Sequence, residues 1–410
     1  MIKTIQSVLV FLLLLGSSID LCAQTVDVPS PLTYESALEL ALARNLDLEA
    51  ARRQRAIREA AVRASRQIPN PDLSAETARD TPHQTVGLAV PIEIGGKRSR
   101  RIALATEEIS LAESDVQRAA RAVRRDVREA FYSLVAAHER VRLTEGALDI
   151  ARRLREIAQA RFDTGAAPRL ELMQADLGVA RAEADLDLAR GSEIAFRATL
   201  NGVLNLPPQQ ALVVAGTLYD DRSPPAYEEA LRLASHSNTD LTSFDRQIAI
   251  EGRRTDLLRA ERVPTPIFSV GADFNAPGEF DVGPRAGISI GLPLFSRNQG
   301  EIAGSNATTS QLRGQRDAAQ RAIDNALFGT LATMEAQRRR VGSYQQRLVP
   351  TAVELESLSE ESYRAGRTSV LGVLDAQRSL RDLRDEALQA ALDVQVTLGA
   401  LEELIGARVP

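Results

Sequence analysis

Tryptophan is absent from this 410-residue chain, and aromatics supply only 4% of it, poor material for one large globular core. Cysteine occurs once, at Cys22, and histidine three times, at His83, His138 and His236. None of these histidines has a second His or Cys at metal-ligand spacing, so no metal site is expected. There is no phosphate-binding Gly loop and no catalytic constellation, which points away from an enzyme and from any cofactor. Positive charge is not in excess either. The formal net charge is −5, and the Arg-rich stretches are interleaved with Glu and Asp as on solvated helix faces. Nucleic acid is therefore not an expected partner. Beyond the N-terminus no run of eighteen apolar residues occurs, which excludes membrane-spanning helices.

What is present favours long helices: Ala, Leu, Arg, Glu, Asp and Gln dominate. The N-terminus stands apart. Met1-Ile2-Lys3 carries a positive charge, Val8 to Leu15 is an apolar block, and Leu21-Cys22-Ala23 precedes Gln24. This pattern predicts a secretory signal peptide over residues 1–23, whose removal would leave no thiol chemistry. Lipid attachment at Cys22 is the alternative, disfavoured by the bulky Leu21 in front of it.

The chain is written twice. "ARFDTGAAPRLELMQAD" (Ala160–Asp176) and "ESYRAGRTSVLGVLDAQ" (Glu361–Gln377) share an aromatic, a Gly three residues on and a Leu five further. "RQIPNPDLSAE" (Arg66–Glu76) answers "ERVPTPIFSVG" (Glu261–Gly271), each with Pro-x-Pro, and "LTYESALELALARN" (Leu32–Asn45) answers "PAYEEALRLASHSN" (Pro225–Asn238). Two repeats follow, 24–224 and 225–410, each reading helix, β-hairpin, long helix, tip turn, helix. The hairpins fall at 72–94 and 267–294 and the tip turns at 164–169 and 365–369.

Punctuation sets the helix lengths. The first helix spans Glu35 to Arg66 and stops at Pro69 and Pro71. The second starts after Gly95-Gly96 and ends at Asp163 before Gly165; the third runs from Pro168 to Leu204. These correspond to about 48, 99 and 55 Å of helix. The second repeat gives 226–262, 297–364 and 369–405, with Pro350 expected to kink or break the long helix. In each half the two short helices together match the long one, which implies a rod. Ile102, Ala105, Ile109, Ala112, Val116, Ala119 and Val123 recur at spacings of three and four, a coiled-coil seam.

The hairpins alternate. Val86, Leu88, Val90, Ile92 and Ile94 point one way, against Thr85, Gly87, Ala89 and Glu93; Ala286, Ile288, Ile290, Leu292 and Leu294 repeat this. The pattern suits a membrane β-barrel strand and equally a soluble sandwich strand. Four strands cannot close a barrel, for which about eight is the minimum. Open edges in lipid leave backbone groups unpaired at several kcal/mol each. Strands of this chain placed in a membrane therefore require several chains to share one barrel, without fixing the copy number.

With these repeats and tip motifs on the page, the chain resembles the TolC-type outer-membrane factors over essentially its whole mature length. "PIEIGGKRSRRI" (Pro91–Ile102) is similar to the cobalt–zinc–cadmium resistance branch. The resemblance implies a fold that is mostly α with a small β part. It implies a homotrimer whose twelve strands close a barrel in outer-membrane lipid, continued by an α-helical tunnel in the periplasm. The function implied is a passive exit duct for heavy-metal cations, joined by a periplasmic adaptor protein to an inner-membrane pump of the RND type. It places Gly165, Leu170, Gly366 and Leu371 where the adaptor docks, although Leu170 and Leu371 could instead pack within their own hairpins. It places Asp375, with Glu171 at the corresponding position of the first tip, as carboxylates constricting the lumen; a second acidic position of the family falls on Gly372. Ordinary solvated carboxylates are the alternative for both. The competing functions are a drug-efflux or type I secretion duct of the same fold, a periplasmic adaptor, and a structural coiled-coil protein.

Overall fold

The computed structural model describes residues 29–219 and 223–409; the expected signal segment, with Cys22, lies outside the described residues. In the first repeat, α1 (Tyr34–Arg44) and α2 (Leu46–Ser65) lead to β1 (Asp72–Thr77) and β2 (Gln84–Pro91). α3 (Lys97–Asp163) and α4 (Arg169–Val203) follow. The second repeat supplies α5 (Tyr227–Ser237), α6 (Thr239–Ala260), β3 (Pro266–Ala276) and β4 (Phe280–Ile290). Its long helix is α7 (Gln299–Ser343), a π-helical turn (Tyr344–Leu348) and α8 (Val349–Arg364), and α9 (Val370–Ile405) closes the chain.

Boundaries differ from the sequence expectation at the first helix and at the strand ends of each repeat. The irregularity expected at Pro350 is found, as a π-helical turn. The first helix of each repeat is two helices, parted where Asn45 and Asn238 turn extended, with ψ of 129° and 127°. Each Asn side chain accepts from two backbone N–H groups of the helix that follows, at 2.8 to 3.3 Å, so a cap replaces the continuous helix. The second long helix widens into the π turn just before Pro350; there the Val349 N–H reaches back to the Tyr344 carbonyl. Proline lacks the N–H of a regular ladder, and the wider turn accommodates it without ending the helix. The strands end at Pro91 and Ile290, short of Ile94 and Leu294.

The sheet is antiparallel throughout, in the order β1-β2-β3-β4, so the hairpins of the two repeats pair through β2 and β3. Its register gathers the apolar residues. Leu73 faces Leu88, Leu88 faces Val270 and Val270 faces Ala286, while Val90 faces Phe268 and Phe268 faces Ile288. The main core lies elsewhere, where α1 and the end of α4 pack on the middle of α3 around Tyr34, Phe131 and Tyr132. The second repeat builds its counterpart from α5, α7 and α9 around Leu327, Met334 and Leu398. Within the seam of α3, Ala105, Ala112 and Val123 are buried. Small alanines there let the helices approach closely, forming thin walls in place of a deep core. No helix among the described residues is long and apolar enough to cross a membrane.

Candidate functional site

Two regions carry the chemistry expected of a duct: the sheet and the helix reversals. One face of the sheet is apolar and open, with Leu73, Val86, Val270, Val282 and Ile288 exposed. The other face is polar and small. Asp273 accepts from the Thr85 hydroxyl at 3.0 Å and pairs with Arg285 at 3.1 Å. Gly87 lies opposite Gly271, where a Cβ would strike the Val86 backbone. Larger side chains would crowd that face, so this composition suits the inside of a curved sheet. Strands β1 and β4 are bare at their outer edges.

At the far end both reversals adopt the same motif. Gly165 and Gly366 sit at φ +73° and +72°. Gly165 N–H donates to the Phe162 carbonyl and Ala166 N–H to the Arg161 carbonyl, at 2.9 and 2.8 Å; Gly366 and Arg367 do the same to Tyr363 and Ser362, both at 2.9 Å. This is a Schellman end, and its left-handed position is the one that glycine takes without strain. Leu170 and Leu371 are 64% and 51% exposed, so neither packs within its own hairpin.

The aromatics of the two tips part company. Phe162 is half-exposed on the surface, whereas Tyr363 is completely buried with Leu154, Val370 and Val373. The Tyr363 hydroxyl donates to Glu171, and the Arg161 guanidinium lies 4.8 Å from the ring centre and donates to the Tyr363 carbonyl at 2.9 Å. Arg161 also stands 3.5 Å from the Glu171 carboxylate. Burial, then the hydrogen bond to Glu171 and its negative charge, push the Tyr363 phenol well up, against a smaller pull from Arg161. Glu171 therefore corrects the sequence reading. It is buried and committed to a contact between repeats, not a free carboxylate facing a channel. Asp375 is different: its side chain is exposed, 3.9 Å from Arg378. It borders a groove of about 400 Å³ between α4 and α9, lined also by Leu177, Gly178, Leu371 and Leu374. Arg181, Arg381 and Arg384 line the same groove.

Further bonds continue from the tip toward the main core, joining α3 and α4 to α9. Asp185 pairs with Arg381, and Arg140 with Asp385. Buried Arg128 donates to Gln395 at 3.1 Å and Glu402 at 3.0 Å, and Arg125 pairs with Glu403 at 2.9 Å. Sequence reasoning passed over this ladder and Tyr363. One signal was available: the second tip carries a hydroxyl where the otherwise matching first tip carries Phe. Among the described residues, no three His, Cys, Asp or Glu side chains converge to hold a metal ion.

Residues 37–206 and 278–407 match the family profile described as outer membrane efflux protein. The chain is 29% identical over 389 residues to the cobalt-zinc-cadmium resistance protein CzcC of Cupriavidus metallidurans, covering 91% of each chain. Its fold is similar to the crystal structure of CusC, with a TM-score of 0.74 at 17% identity over 91% of this chain and 92% of that one. The open-state MtrE outer membrane channel of Neisseria gonorrhoeae also gives 0.74, at 17% identity over 92% of this chain and 89% of its own.

Proposed function

This chain belongs to the outer membrane efflux protein family, and from that premise we propose that it is the exit duct of a tripartite export system for heavy-metal cations. It stands in the outer membrane with its helices in the periplasm, and it catalyses no reaction. The observation that carries the reading is the four-stranded sheet with two bare edges, an apolar outer face and a polar inner one. In lipid such edges must be paired, and four strands are too few to close on themselves. Three copies would close a barrel of twelve strands, with the polar ladder of Thr85, Asp273 and Arg285 facing the lumen.

At the periplasmic end, Gly165 with Leu170 and Gly366 with Leu371 offer paired turns with an exposed apolar residue each, a surface suited to the tip of an adaptor protein. Through that adaptor the duct meets an inner-membrane pump of the RND type, which supplies the energy. Asp375, solvated and near the turn, gives the opening a carboxylate that favours cations. Heavy-metal cargo is supported by the relative named for cobalt, zinc and cadmium resistance, which matches over nearly its whole length.

Deleting the gene and growing the strain on cobalt, zinc and cadmium salts tests the cargo. Tolerance to the metals should fall severalfold and return when the gene is restored. Unchanged metal tolerance with a loss of tolerance to organic drugs would assign the duct to drug efflux instead.

A further inference from the structure

Beyond the ends of β2 and β4 the apolar alternation continues. Ile92 and Ile94 follow β2, Leu292 and Leu294 follow β4, and all four are exposed. They match at an offset of 200 residues, as do the cations that come next, Lys97 and Arg297. The Ile92 N–H still reaches the Pro266 carbonyl at 2.9 Å, so the first of these segments leaves the sheet in register and keeps its alternate residues on the apolar face. The second copy adds Phe295, which is 93% exposed. Its counterpart is Gly95, where a Cβ would come within 2.7 Å of Val263.

The cations beside this strip are bonded to neutral oxygens. Arg297 donates to the Pro293 carbonyl at 3.1 Å, Arg262 to the Arg297 carbonyl at 2.8 Å, and Lys97 to the Thr265 hydroxyl at 2.5 Å. Such bonds orient the side chains, and among the described residues none of the three cations forms an ion pair. Lys97 does lie near enough to Glu93 to help lower its pKa, after the larger effect of the Arg101 hydrogen bond. Glu261, the carboxylate adjacent to Arg262, instead accepts from Asn298 at 3.4 Å. Past a tight turn in which the Leu294 N–H donates to the Leu292 carbonyl at 2.9 Å, exposed Phe295 stands beside these cations. That combination complements the boundary between acyl chains and phosphates.

We propose that this rim binds phospholipid of the inner leaflet. Phe295 enters the uppermost acyl carbons, and Arg262 and Arg297 hold the phosphate of a net-anionic headgroup, which fixes the depth at which the sheet sits. The proposal rests on the outer-membrane placement of the sheet. Because the chain contains no tryptophan, Phe295→Trp and, separately, Ile288→Trp each create a single indole that can be excited selectively over the six tyrosines. Both variants are reconstituted into vesicles of phosphatidylcholine, or of phosphatidylcholine with phosphatidylglycerol, in which one lipid at a time is brominated near the head of its acyl chain.

The Trp at 295 should emit to the blue of free indole and be quenched about twofold more by brominated phosphatidylglycerol than by brominated phosphatidylcholine. Arg262→Gln with Arg297→Gln should erase that difference. Both lipids present a phosphate, but choline offsets it in phosphatidylcholine; equal quenching by the two before those changes would overturn the selection of a net-anionic headgroup by the two arginines. Quenching at 288 but not at 295, as when a neighbouring protein surface covers the rim, would overturn the lipid seat alone. No quenching at either position would remove the membrane placement beneath it.

Discussion

Tyr363 is the side chain on which the tip turns. It reaches Glu171 across 192 residues of sequence, and Arg161 covers its ring. Removing the hydroxyl with Tyr363→Phe leaves the buried Glu171 carboxylate without its donor, at about 1–3 kcal/mol. Because this contact holds the two helical hairpins together, its loss should raise single-channel conductance in planar bilayers. Glu171→Gln keeps an acceptor and should lie between the two. The sign of the pH effect follows from the raised phenol. A proton held more tightly in the folded state stabilises it fully below the unfolded phenol's pKa of about 10, and the gain is lost only as pH rises through the higher folded value. Conductance should therefore show no opening from this group between neutral pH and about pH 9. Asp375 acts by another route, as an exposed charge. Asp375→Asn should lower the cation-to-anion permeability ratio measured from reversal potentials and raise conductance, while leaving thermal stability unchanged. An unaltered ratio would place Asp375 away from the conducting path.

At the scale of elements, each Asn break ties the first helices of its own repeat to the end of that repeat's last helix. Asn238 caps α6 while its amide donates to the Leu404 carbonyl at the end of α9, and Asn45 caps α2 while donating to the Val203 carbonyl at the end of α4. Asn238→Ala should destabilise the chain by about 1–2 kcal/mol in urea unfolding, with the denaturant slope unchanged. The elements most legible in sequence were those closed by chain-local signals. Gly165 and Gly366 ended helices at the expected residues, and Pro168 began the next. The buried seam positions Ala105, Ala112 and Val123 were readable from spacing alone. Asn45 and Asn238 were quoted as the ends of matching segments, yet a cap of one residue leaves the helical periodicity intact, and the break escaped. Glu171 was misread for a different reason. Its neighbours in sequence are those of a solvated turn, and its burial is decided by Tyr363 from the other repeat. Strand alternation located the hairpins, but the pairing of β2 with β3, and so the unity of the sheet, follows from the duplication and not from any residue.

The whole molecule is a rod of two repeats, with a sheet at one end and paired turns at the other, bound along its length by Arg–carboxylate contacts. Those contacts are unequal. Arg140 and Arg381 are partly solvated and add little individually. Arg128 is buried with Gln395 and Glu402 beneath the rings of Tyr34 and Tyr132 and anchors the repeats at the main core. The requirement beneath all of this is that strands β1 and β4 find partners on other copies. Native mass spectrometry of the protein released from detergent micelles measures that directly. The expected particle contains three chains, each of 44.5 kDa less any signal segment removed on export. A homogeneous population of single chains, retained under gentle detergent and inserted in lipid without partners, would contradict the shared barrel.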